Sequence, residues 1–376
     1  MFAPKPQPPS CESLSIDGAG FRVKPDTLGE ERNSPVTQQT GSSEAAGNPP
    51  GTSPSAPPLG GPFRAFFDDD GLRPIWGILI FLALREILIY CVYPLAETLV
   101  RLPASPVGVI RPRLMIAAEG AGLFCVAATT WIMARIERRP NSAYGLGGKH
   151  RVGNLLAGLS WGFALLSLLV LALRAAGLLA FDGRRLFGAA AFHYGGIWLG
   201  AFLLVGLLEE YLFRGYLQFT LARGIGEIYA WFQTASSPPS RSRAFGFWTA
   251  AWILSLSFSL MHTQNAGESP VGLFAAGLIA MVFCLSLWRT GSLWWAIGFH
   301  TAWDWAQSYF YGVADSGSIA EGHLFATHPV GRPIFSGGTT GPEGSILIFP
   351  VVTLAVIIIF LTLPRYEQPR DRHLSK

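Results

Sequence analysis

Two adjacent glutamates and an arginine interrupt an apolar run, LLVGLLEEYLFRGYL, at residues 203–217. Glu210 and Arg214 are four residues apart, so in a helix they share one face and can form an ion pair. Glu209 is displaced by about 100° from Glu210 and can point elsewhere. A continuous helix over residues 192–222 would place Glu209 near its middle, whereas a helix that ends just after it would expose it to water. Because a charge at the centre of a bilayer costs roughly 2.5–3.5 kcal/mol, we predict that the ion pair supports the structure and that Glu209 does chemistry.

Two further apolar runs carry imidazole groups. The run ending FSLMHTQN places His262 four residues after Phe258, a position that also suits a histidine bonded to a backbone carbonyl. The run WWAIGFHTAWDWAQ places His300 and Asp304 four residues apart, and therefore on one helix face. Together with Glu209, these groups could perform acid–base chemistry on a water molecule or bind a single metal ion.

The composition places these motifs in a membrane protein. Of the 376 residues, 50% are hydrophobic and 14% are charged, whereas a soluble domain carries about 25% charged residues. A helix needs about 20 apolar residues to cross a bilayer. The candidate spans are roughly Ile75–Tyr93, Leu114–Ala134, Leu155–Leu173, Phe192–Phe213, Phe245–Met261, Gly272–Trp288, Leu293–Tyr311 and Ile346–Leu363. The sequence therefore predicts an all-α fold, a polytopic membrane helix bundle of about eight transmembrane helices. A net charge of +4 without a basic face argues against nucleic-acid binding.

Basic residues in the loops indicate the orientation, because Lys and Arg concentrate in the cytoplasmic loops of membrane proteins. The loop between the second and third spans holds Arg135, Arg138, Arg139, Lys149 and Arg151. Alternation of the spans then places both termini in the cytoplasm. The first loop counts against this orientation, since it carries Arg101, Arg111 and Arg113. We expect an integral multi-pass protein of a bacterial inner membrane.

Three motifs follow one another on separate apolar runs: EExxxR from Glu209, FxxxH from Phe258 and HxxxD from His300. In this order they resemble the CAAX-protease and bacteriocin-processing (CPBP, or Abi) family of intramembrane endopeptidases, which includes the type II CAAX prenyl proteases. The segment GSLWWAIGFHTAWD resembles the third family motif closely, and the resemblance covers roughly residues 192–311. It implies a peptidase of a family often labelled metalloprotease. The family name implies prenylated substrates, but no residue here identifies a prenyl-binding groove.

The resemblance also implies roles for individual residues. Glu209 takes the position of the glutamate that activates water, and His262 and His300 take active-site positions. Asp304 matches a position that is Asn or Asp across the family. The supporting positions are Glu210, Arg214 and Phe258. The resulting hypothesis is that Glu209, assisted by His262, activates a water that attacks a peptide bond of a membrane-associated or lipidated protein, while His300 and Asp304 stabilise the oxyanion.

Asp304 leaves the question of a cofactor open. An ionised aspartate cannot donate a hydrogen bond to an oxyanion, so Asp304 would have to be protonated for that role. Alternatively it is ionised and binds a metal, with zinc the natural ion, together with His262 and His300. Because the sequence has no HExxH motif, we favour the metal-independent mechanism.

The chain divides into four predicted regions: 1–62, a disordered tail rich in Pro, Gly and Ser; 63–190, the first transmembrane helices; 191–312, the catalytic transmembrane core; and 313–376, a loop, the last transmembrane helix and a basic tail. Two other functions compete with proteolysis. One is a non-proteolytic membrane scaffold or immunity factor of the same fold. The other is a proton-coupled transporter, although no inverted repeat supports it.

Other ionisable residues are expected to lie outside the site. Arg85 and Glu86, deep in the first span, are predicted to form a supporting ion pair, or Arg85 to snorkel to the surface. The residues predicted to have no part in the site are Glu119, Asp182, His193 and His323.

Overall fold

A computed structural model describes residues 65–68, 71–100, 106, 108–234, 238–265 and 267–365. The predicted tail of residues 1–62 lies outside this part of the chain. The helices are α1 Pro74–Val100, α2 Pro112–Ile136, α3 Arg151–Ala175, α4 Gly188–Glu210, α5 Gln218–Trp231, α6 Pro239–Met261, α7 Pro270–Thr290, α8 Trp294–Asp304, α9 Pro333–Ser336 and α10 Ile348–Thr362. The prediction of an all-α, polytopic helical bundle is confirmed.

Short strands pair the segments that connect the helices. They are β1 Phe67–Asp68, β2 Gly71–Leu72, β3 Val109–Ile110, β4 Leu179–Arg184, β5 Ile319–Ala320 and β6 Phe325–Pro329. Strands β1 and β2 are antiparallel, β3 pairs with β5 in parallel, and β4 pairs with β6 in antiparallel register. The last two pairs connect the loops that follow α1 and α3 to the loop that follows α8.

Six helical runs in the described residues are long and apolar enough to cross a membrane, fewer than the eight predicted. They are Pro74–Ala96, Pro112–Ile136, Arg151–Ala175, Gly188–Trp231, Pro239–Gln264 and Pro270–Thr290. The predicted seventh span is the 11-residue helix α8 with a π-helical continuation, Trp305–Tyr311. The predicted eighth is α10, whose 15 residues extend only about 22 Å at about 1.5 Å per residue.

The strand pairing shows that α8 nevertheless passes through the bundle. Strands β4 and β6 lie on one face, so an even number of crossings must separate them. The runs of α4 with α5, α6 and α7 supply three, and α8 with Trp305–Tyr311 supplies the fourth. Helix α8 can be short because it is buried in the protein, with Trp295 and Ile297 fully covered.

Glycines hold α8 close to its neighbours, since small residues allow helix backbones to approach in a membrane. A Cβ at Gly162 of α3 would lie 2.3 Å from the carbonyl oxygen of Phe299, and one at Gly298 would lie 2.2 Å from that of Leu155. On α4, a Cβ at Gly206 would meet Thr301 Oγ1 at 3.0 Å. Helix α8 is therefore fixed between α3 and α4.

Three loops pack together at the face that carries β3 to β6. We call them the loop cap: residues 262–265 with 267–269, residues 312–318, and residues 337–345. Thr340 Oγ1 donates a hydrogen bond to the Gly267 carbonyl at 2.9 Å. A Cβ at Gly317 would lie 2.4 Å from the Gly267 nitrogen, so these two backbones are in direct contact. The loop cap covers the end of the bundle at which α6 stops and α10 begins.

Candidate active site

A buried ion pair forms the base of the site. Arg214 Nη1 donates to Glu210 Oε1 at 3.1 Å, and both side chains are buried. The four-residue spacing predicted this pair, and it is confirmed. The guanidinium also lies over the ring of Phe258, 4.6 Å from its centroid, which is a cation–π contact. Phe258 thus shields the ion pair from the side of α6.

His300 occupies the centre of the site. Its Nδ1 lies 3.2 Å from Glu210 Oε1, and its Nε2 lies 3.7 Å from Glu209 Oε2 and 3.5 Å from Asp304 Oδ2. When Nδ1 carries the proton, it donates to Glu210 and the ring is held with Nε2 facing the other two carboxyl groups. Glu210 therefore orients His300 in addition to pairing with Arg214, a second role that the spacing of the motif did not predict.

The two adjacent glutamates differ in their surroundings. The side chain of Glu210 is fully buried, whereas that of Glu209 is 30% exposed. Glu209 can therefore reach a water molecule while Glu210 cannot. This difference follows from the 100° offset on the helix and supports the predicted division of roles.

Both helices that carry site residues change geometry directly after them. Helix α4 ends at Glu210 and continues as a π-helical segment, Tyr211–Leu217, in which Gly215 leaves the helical region with φ −84° and ψ −106°. Helix α8 ends at Asp304 and also continues as a π-helical segment. Such segments are frequent at functional sites. Glu209 thus lies at the end of α4 and also within the longer helical run Gly188–Trp231. The two predicted alternatives, a position near a helix end and one inside a longer helix, therefore each describe part of the structure.

His262 lies at the edge of this group. It follows the last residue of α6, and its Nδ1 bonds to the Phe258 carbonyl at 2.8 Å. Among the described residues, no hydrogen bond or ion pair joins His262 to Glu209, His300 or Asp304. Of the four predicted catalytic side chains, Glu209 and Asp304 each lie within 4 Å of His300, and His262 lies in the loop cap.

The three side chains of the alternative metal site are not all brought together. The described residues contain no group of three or more His, Cys, Asp or Glu side chains placed to hold a metal ion. Of the proposed ligands His262, His300 and Asp304, only the last two are close, with Nε2 and Oδ2 3.5 Å apart. These donors do not fit a zinc ion as they stand, so no step below passes through a metal.

Sequence reasoning missed two acidic residues of the loop cap. Asp315 Oδ2 accepts a hydrogen bond from Ser308 Oγ at 2.8 Å, and Glu343 Oε1 accepts one from Trp303 Nε1 at 2.6 Å. Burial raises the pKa of Asp315, while the hydrogen bond from Ser308 and then the nearby histidines of the site lower it. Burial first, and then repulsion by Asp315, raises the pKa of Glu343 to about 8. Both residues lie in polar loops, and no apolar run or motif marks them.

The remaining ionisable residues are mostly where the sequence placed them. Arg85 and Glu86 form the predicted ion pair. Asp182 pairs with His328 on the exposed β4–β6 sheet, with 2.8 Å between Oδ2 and Nδ1. Glu119 is closer to the site than predicted, because its carboxyl on α2 interacts electrostatically with Glu209. Helices α2 and α4 are neighbours, which brings these two carboxyl groups together.

Comparison with known proteins identifies the motif-bearing region. Residues 192–306 match the family model described as type II CAAX prenyl endopeptidase, Rce1-like. This range contains all seven residues predicted for the site. No curated protein and no solved structure gives a significant match. The protein is an integral membrane protein, and its residues 192–306 are similar to the CAAX-protease family of endopeptidases.

Proposed function

We propose that the protein hydrolyses a peptide bond of a membrane-associated or lipidated protein with a water activated by Glu209. The observation that carries this proposal is the contact of Glu209, 30% exposed, with His300, whose other ring nitrogen is held by buried Glu210. A partly exposed carboxylate beside an oriented imidazole is the arrangement that general acid–base catalysis needs.

In the proposed reaction, one proton passes from the water to Glu209 and then from Glu209 to the leaving amine. Glu209 accepts a proton from the water as its oxygen attacks the carbonyl carbon of the substrate. The carbonyl oxygen becomes an oxyanion, which His300 stabilises by donating from Nε2 when both of its nitrogens are protonated. Glu209 then returns the proton to the departing amine as the C–N bond breaks. Asp304, 3.5 Å from Nε2, orients the imidazole or donates to the oxyanion in its protonated form.

His262 has a more distant role in this proposal. Because Nδ1 bonds to the Phe258 carbonyl, that nitrogen carries the proton and Nε2 is an acceptor. His262 would assist Glu209 through the water molecule. With the predicted orientation, the enzyme lies in a bacterial inner membrane with both termini in the cytoplasm.

Cleavage by purified protein tests the proposal. Wild type, Glu209→Gln and His300→Ala are reconstituted in lipid and incubated with a library of lipidated and unlipidated peptides. We expect the wild type to cleave a subset and Glu209→Gln to lose at least about a hundredfold in kcat, because removing a general base typically costs 10²–10⁴-fold. Asp182→Asn, at an exposed pair far along the chain from the motifs, is the matched control. Undiminished cleavage by Glu209→Gln would remove the assigned base, and a biological effect retained by that variant would favour a scaffold.

A further inference from the structure

Asp315 and Glu343 are acidic side chains that the proposed hydrolysis does not use. Asp315 accepts a hydrogen bond from Ser308, and Glu343 accepts one from Trp303 and also interacts with the side chain of Gln307. Within the described residues, neither carboxyl forms an ion pair with Lys, Arg or His. A partly buried carboxyl group without a positively charged partner holds its proton more tightly, as the pKa of about 8 for Glu343 reflects. A cation beside the pair would displace that proton and balance both carboxylates.

A buried amide next to the pair lacks a partner as well. Gln307 is fully buried in the π-helical segment that follows α8, and its Nε2 donates to the Ala314 carbonyl at 3.0 Å. Its side chain also lies against Glu343. Its Oε1, however, is buried without a hydrogen-bond donor among the described residues. Leaving such an acceptor unsatisfied costs about 1–3 kcal/mol.

Once both carboxyl groups are ionised, the unused polar atoms of this region are all acceptors. They belong to two carboxyl groups and one amide oxygen. Glu268 also lies near Glu343, and the imidazoles of His300 and His262 and the carboxyl group of Glu209 lie near Asp315. The complementary group must carry several N–H donors and a positive charge. A guanidinium supplies five donors in a fixed fork, and an ammonium supplies three.

Resting on the proposed peptidase function, we propose that Asp315, Glu343 and Gln307 form a subsite that binds a basic side chain of the substrate. The subsite adjoins the reaction centre, because Asp315 interacts electrostatically with His300, His262 and Glu209. It is built from the loop cap and the π-helical end of α8, so it positions a residue close to the scissile bond. An arginine fits best, since its planar fork can bond two carboxylates and an amide oxygen at once.

The test compares peptides that differ in one charge. Two peptides cleaved by the wild type are made with arginine or with citrulline, its neutral isostere, at each position within three residues of the scissile bond. We expect one position at which arginine raises kcat/KM by about tenfold to a hundredfold, the range for hydrogen bonds to charged groups. Asp315→Asn and Glu343→Gln should each bring the arginine-to-citrulline ratio towards one. Asp182→Asn should keep the wild-type ratio.

Several results would overturn the subsite, and they differ from failure of the proposed function. Glu209-dependent cleavage with equal rates for arginine and citrulline peptides would refute the subsite alone, as would a ratio unchanged in Asp315→Asn and Glu343→Gln. A ratio abolished by a chelator and restored by Ca²⁺ would show that the acceptors hold a metal ion instead. If no peptide is cleaved, the subsite is tested by ligand binding instead. Arginine amide should raise the melting temperature of the wild type more than that of Glu343→Gln. Equal shifts in melting temperature would refute the subsite.

Discussion

Replacement of Gly162 by alanine tests whether backbone contact between α3 and α8 positions the site. The added Cβ would lie 2.3 Å from the carbonyl oxygen of Phe299, and carbon atoms essentially never approach closer than 3.0 Å in such contacts. The neighbours are backbone atoms, so no side chain can rotate away. The two helices must separate locally by about 0.7 Å, and overpacking of this kind costs about 1–3 kcal/mol.

Gly153, in the same helix, is the matched control. A Cβ there would meet no atom of the described residues within 4 Å. Alanine at this exposed position should stabilise the helix by about 0.5–1 kcal/mol, because glycine loses more conformational entropy on folding. Thermal unfolding in detergent should therefore rank Gly153→Ala at or above the wild type and Gly162→Ala below it. A melting temperature of Gly162→Ala equal to that of Gly153→Ala would refute the reasoning.

The same substitution should also lower activity. Phe299 directly precedes His300, whose contacts with Glu209 and Glu210 span two helices. A misplacement of about 1 Å in an active site can cost about a hundredfold in rate. We expect Gly162→Ala, assayed well below its melting temperature, to lose at least about tenfold in kcat/KM, while Gly153→Ala keeps the wild-type value.

Two further predictions follow from the charges. Glu210→Gln should destabilise the protein by about 3–5 kcal/mol in thermal unfolding, because it leaves buried Arg214 without its counter-ion, whereas Asp182→Asn, at the exposed pair with His328, should cost less than about 1 kcal/mol in the same assay. Glu343 binds its proton more tightly when folded, with a pKa of about 8 against 4.5, so stability should fall as pH rises from about 5 to about 8. Glu343→Gln should reduce the difference in melting temperature between pH 5.5 and 8.5, and an unchanged difference would contradict the assignment.

Contacts within one helix were predictable from the sequence. The pair of Glu210 with Arg214 and that of His300 with Asp304 follow from four-residue spacing alone. The family motifs added the expectation that these helices meet. The contact between Glu210 and His300 was not predictable, because it depends on how α4 and α8 cross, and the glycines that set this crossing lie partly on α3, which carries no motif.

The loop cap was not predictable for a different physical reason. Asp315 and Glu343 lie in segments rich in glycine and serine, where an acidic side chain is normally solvated. Only the packing of three loops, distant in the chain, partly buries them. A count by helix length and hydropathy gives six spans instead of about eight, because α8 continues as a π-helical segment and α10 has only 15 residues.

The two interruptions of regular helix explain why the sequence did not predict the whole site. They also explain how the site is assembled. A regular helix over Gly188–Trp231 would extend about 66 Å, roughly twice the hydrocarbon thickness. The break at Gly215 ends α4 at the two glutamates, so that they face α8 while the chain turns to pair α5 with α6. The matching π-helical segment after Asp304 carries Gln307 and Ser308 to the loop cap. Each π-helical segment thus places the reaction centre next to a second group of contacts. A continuous helix in either place would keep the reaction centre and those contacts apart.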